Sequence, residues 1–450
     1  MLSLADKTSG KGLPTLSKNL IWMINFGFLG VQTAFTLQSS QMSRIFQTIG
    51  ADPNNLGWFF ILPPLAGLIV QPIVGYYSDR TWKPRLGGRR LPYLILGTLI
   101  AVIVMLLLPN SGSFGFGYGS LMALWFGAIT VAFLDLSSNV AMQPFKMMIG
   151  DMVNDKQKSY AYGIQSFLSN TGAVLAAIFP FLLTWLGVAN TANKGVVPQS
   201  VVISFYAGAI LLIITSLFTV FRVKEYDPAT YAMYHGISEK ENSEGGNWIT
   251  LLKKAPKAFW TVTLVQFFCW FAFQYLWTYS AGAIAQNVWH TANASSAAYQ
   301  AAGNWYGVLA AVQSIAAVAC SYVLAKLPNR FHKSGYAVSL ILGALGFVSV
   351  FFVHNQYILI VSYILVGIAW AGMNTYPLTI VTNALSGNHM GTYLGLFNGS
   401  ICLPQIVASL LSFGLFPLLG SSQANMFLLA GAVMLLGAFA VGTIKETFAE

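Results

Sequence analysis

GLIVQPIVGYYSDRTWKPRLGGRRLPY, residues 67–93, is the stretch whose reading decides the fold. An apolar segment carrying Gly75 runs into Asp79-Arg80, and residues 80–90 then hold five cations: Arg80, Lys83, Arg85, Arg89 and Arg90. Apolar sequence resumes at once. A short basic loop between two apolar segments is how a chain turns back at the cytoplasmic face of a bilayer. A small residue such as Gly75 lets neighbouring helices approach closely. Asp79 is placed to pair with a nearby arginine or to cap a helix start. Gly75, Asp79, Arg80, Arg89 and Arg90 are therefore candidates for stabilising a gate at this face.

Outward from that loop the same pattern recurs from end to end. The chain is 56% hydrophobic and only 8% charged, where soluble domains carry about 25% charged residues. Apolar stretches of membrane-spanning length are read at 20–46, 54–77, 91–109, 120–148, 161–186, 201–221, 259–287, 305–326, 336–353, 357–384, 392–418 and 424–443. The expected fold is an all-α membrane protein with twelve transmembrane helices. The first 18 residues are polar and the first span is too long for a signal sequence, so no cleavable leader is expected. With both termini cytoplasmic, 21 of the 23 Lys and Arg fall on the inside; Arg44 and Lys194 are the two exceptions. That asymmetry fixes the orientation. It also accounts for the +10 net charge without a nucleic-acid partner. Cys269, Cys320 and Cys402 lie within spans at no metal-ligand spacing and read as small apolar residues. Neither a metal nor a cofactor is expected. A phosphate-binding loop, a zinc-binding H-E-x-x-H and an internal Ser/His/Asp set are all missing from the sequence, and no enzyme chemistry is indicated.

The chain divides into a cytoplasmic tail (1–19), a six-helix half (20–221), a polar cytoplasmic linker (222–258), a second six-helix half (259–443) and a tail (444–450). Faint internal symmetry supports the division: Pro144 corresponds to Pro377, and Gly163 to Gly395. Parallel six-helix halves place the substrate near the bilayer midplane, between halves that rock around it.

Asp135 is the only acid inside any membrane-length apolar stretch; the other 12 of the 13 lie in tails, loops or helix ends. A carboxylate at bilayer depth costs about 2.5–3.5 kcal/mol on insertion scales and marks an ion, proton or substrate path. Desolvation works against its charge, so it can load a proton on one side and release it when its surroundings change. On a helix, Asn139 is the next residue on its face. Lys146 shares that face but lies about 16 Å along the axis. A static ion pair with Asp135 is thereby excluded, and Lys146 is expected near the cytoplasmic mouth with Asp151 or another helix as partner. Pro144 between them favours a kink. The five histidines lie in loops or near span ends. A single carboxylate argues against a sodium site. The expectation is proton coupling through Asp135; the plainer alternative is a structural aspartate satisfied by Asn139 and a neighbouring helix.

The loop at 75–90 resembles the signature of the major facilitator transporters. The resemblance narrows over Val70-Gln71-Pro72-Ile73-Val74-Gly75-Tyr76-Tyr77-Ser78-Asp79-Arg80, Leu134-Asp135-Leu136-Ser137-Ser138-Asn139 with Gln143-Pro144, Gly30-Val31-Gln32 and Leu37-Gln38. These stretches are similar to plant sucrose/proton symporters and to bacterial maltose and sucrose permeases of the glycoside-pentoside-hexuronide:cation type. The resemblance implies proton-coupled uptake of a glycoside, with a disaccharide expected; a functional monomer in a plasma membrane is expected, and short loops suggest a bacterial one. The plant family carries an arginine eleven residues after its span-four aspartate. Here that position is Lys146, a point charge without the bidentate fork.

In that fold spans one, four, seven and ten line the cavity. Sugar recognition uses amides and hydroxyls for the hydroxyl groups and aromatic faces for the C–H surfaces. The candidates are Asn25, Gln32 and Gln38 in span one; Asn139 and Lys146 in span four; Gln266, Trp270, Gln274, Tyr275 and Trp277 in span seven; and Trp370 and Asn374 in span ten. Asn170 and Asn398, in spans five and eleven, complete the set. Two other readings stay open. A proton-coupled exporter of drugs or amphiphiles would have a more apolar cavity. A transporter-like sugar sensor would usually add a soluble signalling domain.

Overall fold

The computed structural model describes residues 13–235, 252–324, 326–384 and 396–444. Among them, twelve helical segments are long and apolar enough to cross a membrane. The first is split at Gly27 into α1 (Lys18–Phe26) and α2 (Phe28–Thr48). The next five are α3 (Leu56–Arg80), α4 (Leu91–Leu107), α5 (Leu121–Met152), α6 (Asp155–Trp185) and α7 (Gln199–Arg222). A short helix, α8 (Pro228–His235), follows. The last six spans are α9 (Lys257–Val288), α10 (Ala297–Leu324), α11 (His332–Phe352), α12 (Leu359–Ala384), α13 (Gly399–Leu418) and α14 (Asn425–Ala440).

A helix satisfies its own backbone, which lipid cannot do, so the apolar composition leaves this as the available spanning structure. Short polar side chains start several helices. Ser17, Ser120 and Asn154 accept from the N–H of Leu20, Ala123 and Gln157. Pro144 does not end α5, which stays helical through it. Large apolar side chains such as Trp125, Trp185 and Leu418 are exposed, as expected of a surface that faces acyl chains.

The first six spans pack on one another through α2/α6, α2/α7, α3/α5 and α4/α5. The last six do so through α9/α14, α10/α12, α11/α12 and α11/α14. Between the groups the main contacts are α3 on α13 and α6 on α10, with α2 against α9 at the centre. Shifting each helix by six spans converts the α3/α13 contact into the α6/α10 contact, the relation expected of two equivalent halves. Gly307 makes the α6/α10 approach possible: a Cβ there would stand 2.2 Å from the Ala177 carbonyl oxygen.

The 81–90 loop is clasped from below. Gly87 and Gly88 adopt φ of 93° and 148°, backbone that side chains resist. A Cβ on Gly88 would also collide with Glu225. That room lets the Glu225 carboxylate accept the backbone N–H of Arg89 (3.1 Å), Arg90 (2.8 Å) and Leu91 (2.8 Å), at the start of α4. Burial raises the Glu225 carboxyl above its ordinary value, and these three donors with Arg90 pull the other way. Arg90 pairs with Asp151 at 2.9 Å and donates to Ser78. Arg89 lies over the Tyr231 ring at 4.3 Å, and the Tyr231 hydroxyl donates to Asp151. Asp151 is thus occupied by Arg90 and Tyr231. Lys146, for which Asp151 was an expected partner, has no hydrogen-bond or ion-pair partner among the described residues. The side chains of Gly75, Asp79 and Arg80 lie outside the described residues, and with them the proposed gate contacts of that segment.

Candidate functional site

Asp135 sits midway along α5 and is 2% exposed. The helical repeat brings Asn139 to it, as the spacing predicts: the Asn139 amide donates to one carboxylate oxygen at 2.8 Å and to the Asp135 carbonyl at 2.9 Å. The second partner comes from another helix. Gln38 of α2 donates to the other carboxylate oxygen at 3.3 Å. Gln38's own carbonyl oxygen is buried with no partner among the described residues. Two amide donors suit an ionised carboxylate. A protonated carboxyl needs an acceptor, and a rotation of the Gln38 amide supplies one. Gly67 of α3 packs beside this group. A Cβ built there would lie 3.7 Å from Asn139 and 3.8 Å from the Cys402 sulfur of α13. The carboxylate therefore lies close to where α3 meets the second half.

The second half contributes a ring of indoles. Trp270 and Trp277 of α9 and Trp370 of α12 are mutual neighbours, with centroids 5.5–6.2 Å apart. Phe273 packs against Trp370 at 4.9 Å. All three tryptophans are half-buried, and the Trp270 N–H has no partner among the described residues. Asn374, one turn past Trp370, donates to its carbonyl at 2.7 Å and is exposed.

The remaining candidates do not all join these two groups. Gln274 and Tyr275 bond away from the indoles. Gln274 donates to the Phe60 carbonyl and to Ser409, both at 2.8 Å, and the Tyr275 hydroxyl donates to the Ala408 carbonyl at 3.0 Å. The helical repeat turns Tyr275 away, about 140° from Trp270; Gln274, one turn past Trp270, shares its face, but its amide is taken up by Phe60 and Ser409. Gln266 donates to the Met373 carbonyl, and its own oxygen is left without a partner among the described residues. Asn25 is buried against α6, bonded to the Ile21 and Ala161 carbonyls and to Gln165. Gln32 reaches Thr36 at 3.4 Å, and Asn398 lies 3.9 Å from Cys402. Asn170 bonds back to Ser166 and is half-buried, whereas Lys146 is exposed.

The two ends of the bundle differ. Every hydrogen bond that joins described residues of one half to the other lies toward the end carrying Arg44. Ser43 donates to the Thr278 carbonyl at 2.6 Å, Gln47 and Gln423 bond each other, and Gln300 donates to Thr48 at 2.9 Å. Asn304 donates to Thr184 at 2.7 Å. Phe181 meets Trp305, and Trp58 meets Phe413, at the same end. The halves are closed there.

Twelve spanning helices among the described residues, in two equivalent halves closed at one end, with Asp135 as the one described carboxylate buried midway along a span, define a membrane transporter rather than an enzyme. The chain belongs to the Major Facilitator Superfamily, whose profile matches residues 24–409. It is 25% identical over 442 residues to the sucrose transport protein SUT5 of Oryza sativa subsp. indica, covering 85% of this chain and 79% of that one. It is 22% identical over 461 residues to SUC4 of Arabidopsis thaliana, covering 94% and 89%. These relatives are plant proteins, which leaves the expectation of a bacterial source without support. Among solved structures it resembles the nucleoside transporter NupG, with TM-score 0.65, 14% identity and coverage of 95% of this chain and 99% of that one. It also resembles a bacterial homologue of the human lysosomal transporter Spinster, inward-facing and unoccupied, with TM-score 0.65, 16% identity and coverage of 96% and 100%. At those identities the structural likeness is one of fold.

Proposed function

We propose that this transporter is a proton-coupled sugar symporter of the plasma membrane, importing a disaccharide by alternating access, with both termini cytoplasmic. The single observation that carries the reading is the Asp135 group: a lone acid at bilayer depth, held by amides from two helices, with an unused acceptor on Gln38. Protonation exchanges a carboxylate that accepts from Gln38 for a carboxyl that donates to it. The rotation of that amide offers its N–H, or withdraws it, on the side where substrate hydroxyls would lie. Proton and sugar are coupled through one side chain.

The exposed polar residues inside the spans fit a water-filled cavity. An amide or ammonium facing lipid at this depth is costly, so the exposure of Lys146 and Asn374 supports access from water. In the proposed orientation, closure at the Arg44 end places the closed gate on the outward side. The indoles of Trp270, Trp277 and Trp370 would take the C–H face of a sugar ring while Asn374 and the Asp135 group take hydroxyls. Similarity to plant sucrose transport proteins places sucrose first among substrates, with maltose next. Uptake of labelled sucrose, maltose and melibiose into one series of proteoliposomes tests the substrate class. Saturable uptake of one disaccharide supports it. Uptake of none, with energised extrusion of an amphiphilic dye, favours the exporter reading.

A further inference from the structure

Arg44 is one of the two cations that break the charge asymmetry of the sequence, and the structure buries it. Its side chain is 1% exposed, and among the described residues no carboxylate lies within ion-pair distance. Four neutral amides hold it instead. Its Nε donates to Gln300 at 2.7 Å, Nη1 to Asn304 at 2.8 Å and to Gln41 at 3.3 Å, and Nη2 to Asn190 at 2.8 Å. Gln41 and Asn190 belong to its own half, Gln300 and Asn304 to the other. The orientation of the distant pair is enforced. The Gln300 NH₂ is used by Thr48 and the Ala294 carbonyl, and the Asn304 NH₂ by Thr184, so both carbonyl oxygens face the guanidinium. The chain is fitted closely around it: a Cβ on Gly303 would stand 2.6 Å from the arginine side chain.

We propose that Arg44 is the latch of the gate at this end, and that the absence of an acid beside it is what lets the latch release. A buried guanidinium must keep its donors satisfied. With the halves closed, two of its four acceptors come from across the interface. When this end opens, water can replace those two amides at little net cost, and Gln41 and Asn190 retain the side chain on its own half. A carboxylate at the same place would form a buried ion pair, which is strongly unfavourable to break and would hold the gate shut. Arg44 thus sets the balance between the two open states without touching the proposed substrate site.

The test reads that balance directly and needs neither sugar nor a proton gradient, so it stands or falls separately from the transport reading. Spin labels at Asn55→Cys, exposed in the short 3-10 turn before α3, and Ala292→Cys, exposed in the loop after α9, report the separation of the halves once Cys269, Cys320 and Cys402 are replaced by serine. Asn304→Asp supplies the missing acid, and its second oxygen can accept from the Thr184 hydroxyl. It should depopulate the widely separated state by on the order of tenfold, the factor for one charge-assisted hydrogen bond. Arg44→Gln should enrich that state by a similar factor, and in the double variant the Asn304→Asp effect should vanish. If Arg44→Gln does not fold, the Asn304→Asp distribution alone decides. An Asn304→Asp distribution like wild type, or both variants shifting the same way, overturns the proposal.

Discussion

Replacing Asp135 by Asn separates coupling from binding. In the folded protein the Asp135 carboxylate accepts from Asn139 at 2.8 Å and from Gln38 at 3.3 Å. The amide keeps one acceptor and turns the other atom into a donor facing one of those donors. Rotation of Gln38 presents its unpartnered oxygen, so the cost is at most about one hydrogen bond, ~1 kcal/mol, and the protein should fold. The effect on transport is far larger. One proton moving through about 100 mV supplies about 2.3 kcal/mol, enough for sugar accumulation near 50-fold at about 1.4 kcal/mol per decade. In Asp135→Asn the accumulation ratio should fall to about 1, because no other acid among the described residues lies at bilayer depth. Exchange of labelled for unlabelled sugar should survive, with a flattened pH dependence, since Asn mimics the protonated carboxyl. The assay is accumulation and counterflow in the same proteoliposomes. Concentrative uptake by Asp135→Asn would refute the assignment and leave Asp135 a structural residue.

The other predictions are these. Trp270→Ala should weaken sugar binding by roughly tenfold, the value of about 1–1.5 kcal/mol for a lost aromatic contact, whereas Gln274→Ala should leave affinity unchanged and lower thermal stability, since it removes bonds to Phe60 and Ser409; wild-type affinity for Trp270→Ala in a titration would show that the indoles are packing alone. Glu225 should make stability pH-dependent. Its carboxyl is raised by burial in the folded state, so its contribution is fully present below the unfolded value of about 4.3 and is lost as pH rises through the folded value. The melting temperature of wild type should therefore fall relative to Glu225→Gln over that rise; the opposite slope would contradict the burial argument.

The spans were legible because the bilayer fixes their length and forces helices, leaving the sequence little room to disguise them. The Asp135–Asn139 contact was legible because a helix places the fourth residue on the same face. Gln38 was read as a sugar-binding amide, not as a partner of Asp135; that partner lies 97 residues away, and no local period encodes a contact between helices. The period also misled. Gln274 lies one turn past Trp270, yet its amide is taken up by Phe60 and Ser409 from neighbouring helices, and an offset of about 140° sends Tyr275 to Ala408. Glu225 read as a linker acid. Its signal was present in Gly87-Gly88, a pair of glycines that leaves backbone N–H groups open to an incoming carboxylate, but the partner came from another segment. Arg44 stood out as a topological exception, and the reason lies in polar side chains of α10 and of the loop after α6, which only the packed halves bring together.

The most direct test is to record sugar accumulation and luminal pH together, in wild-type proteoliposomes with an imposed proton gradient and sodium-free buffer. The account predicts accumulation of a disaccharide well above equilibrium, luminal acidification in step with its entry, and loss of accumulation when a protonophore is added. Accumulation that persists in the protonophore, or sugar entry with no movement of protons, would contradict proton-coupled import.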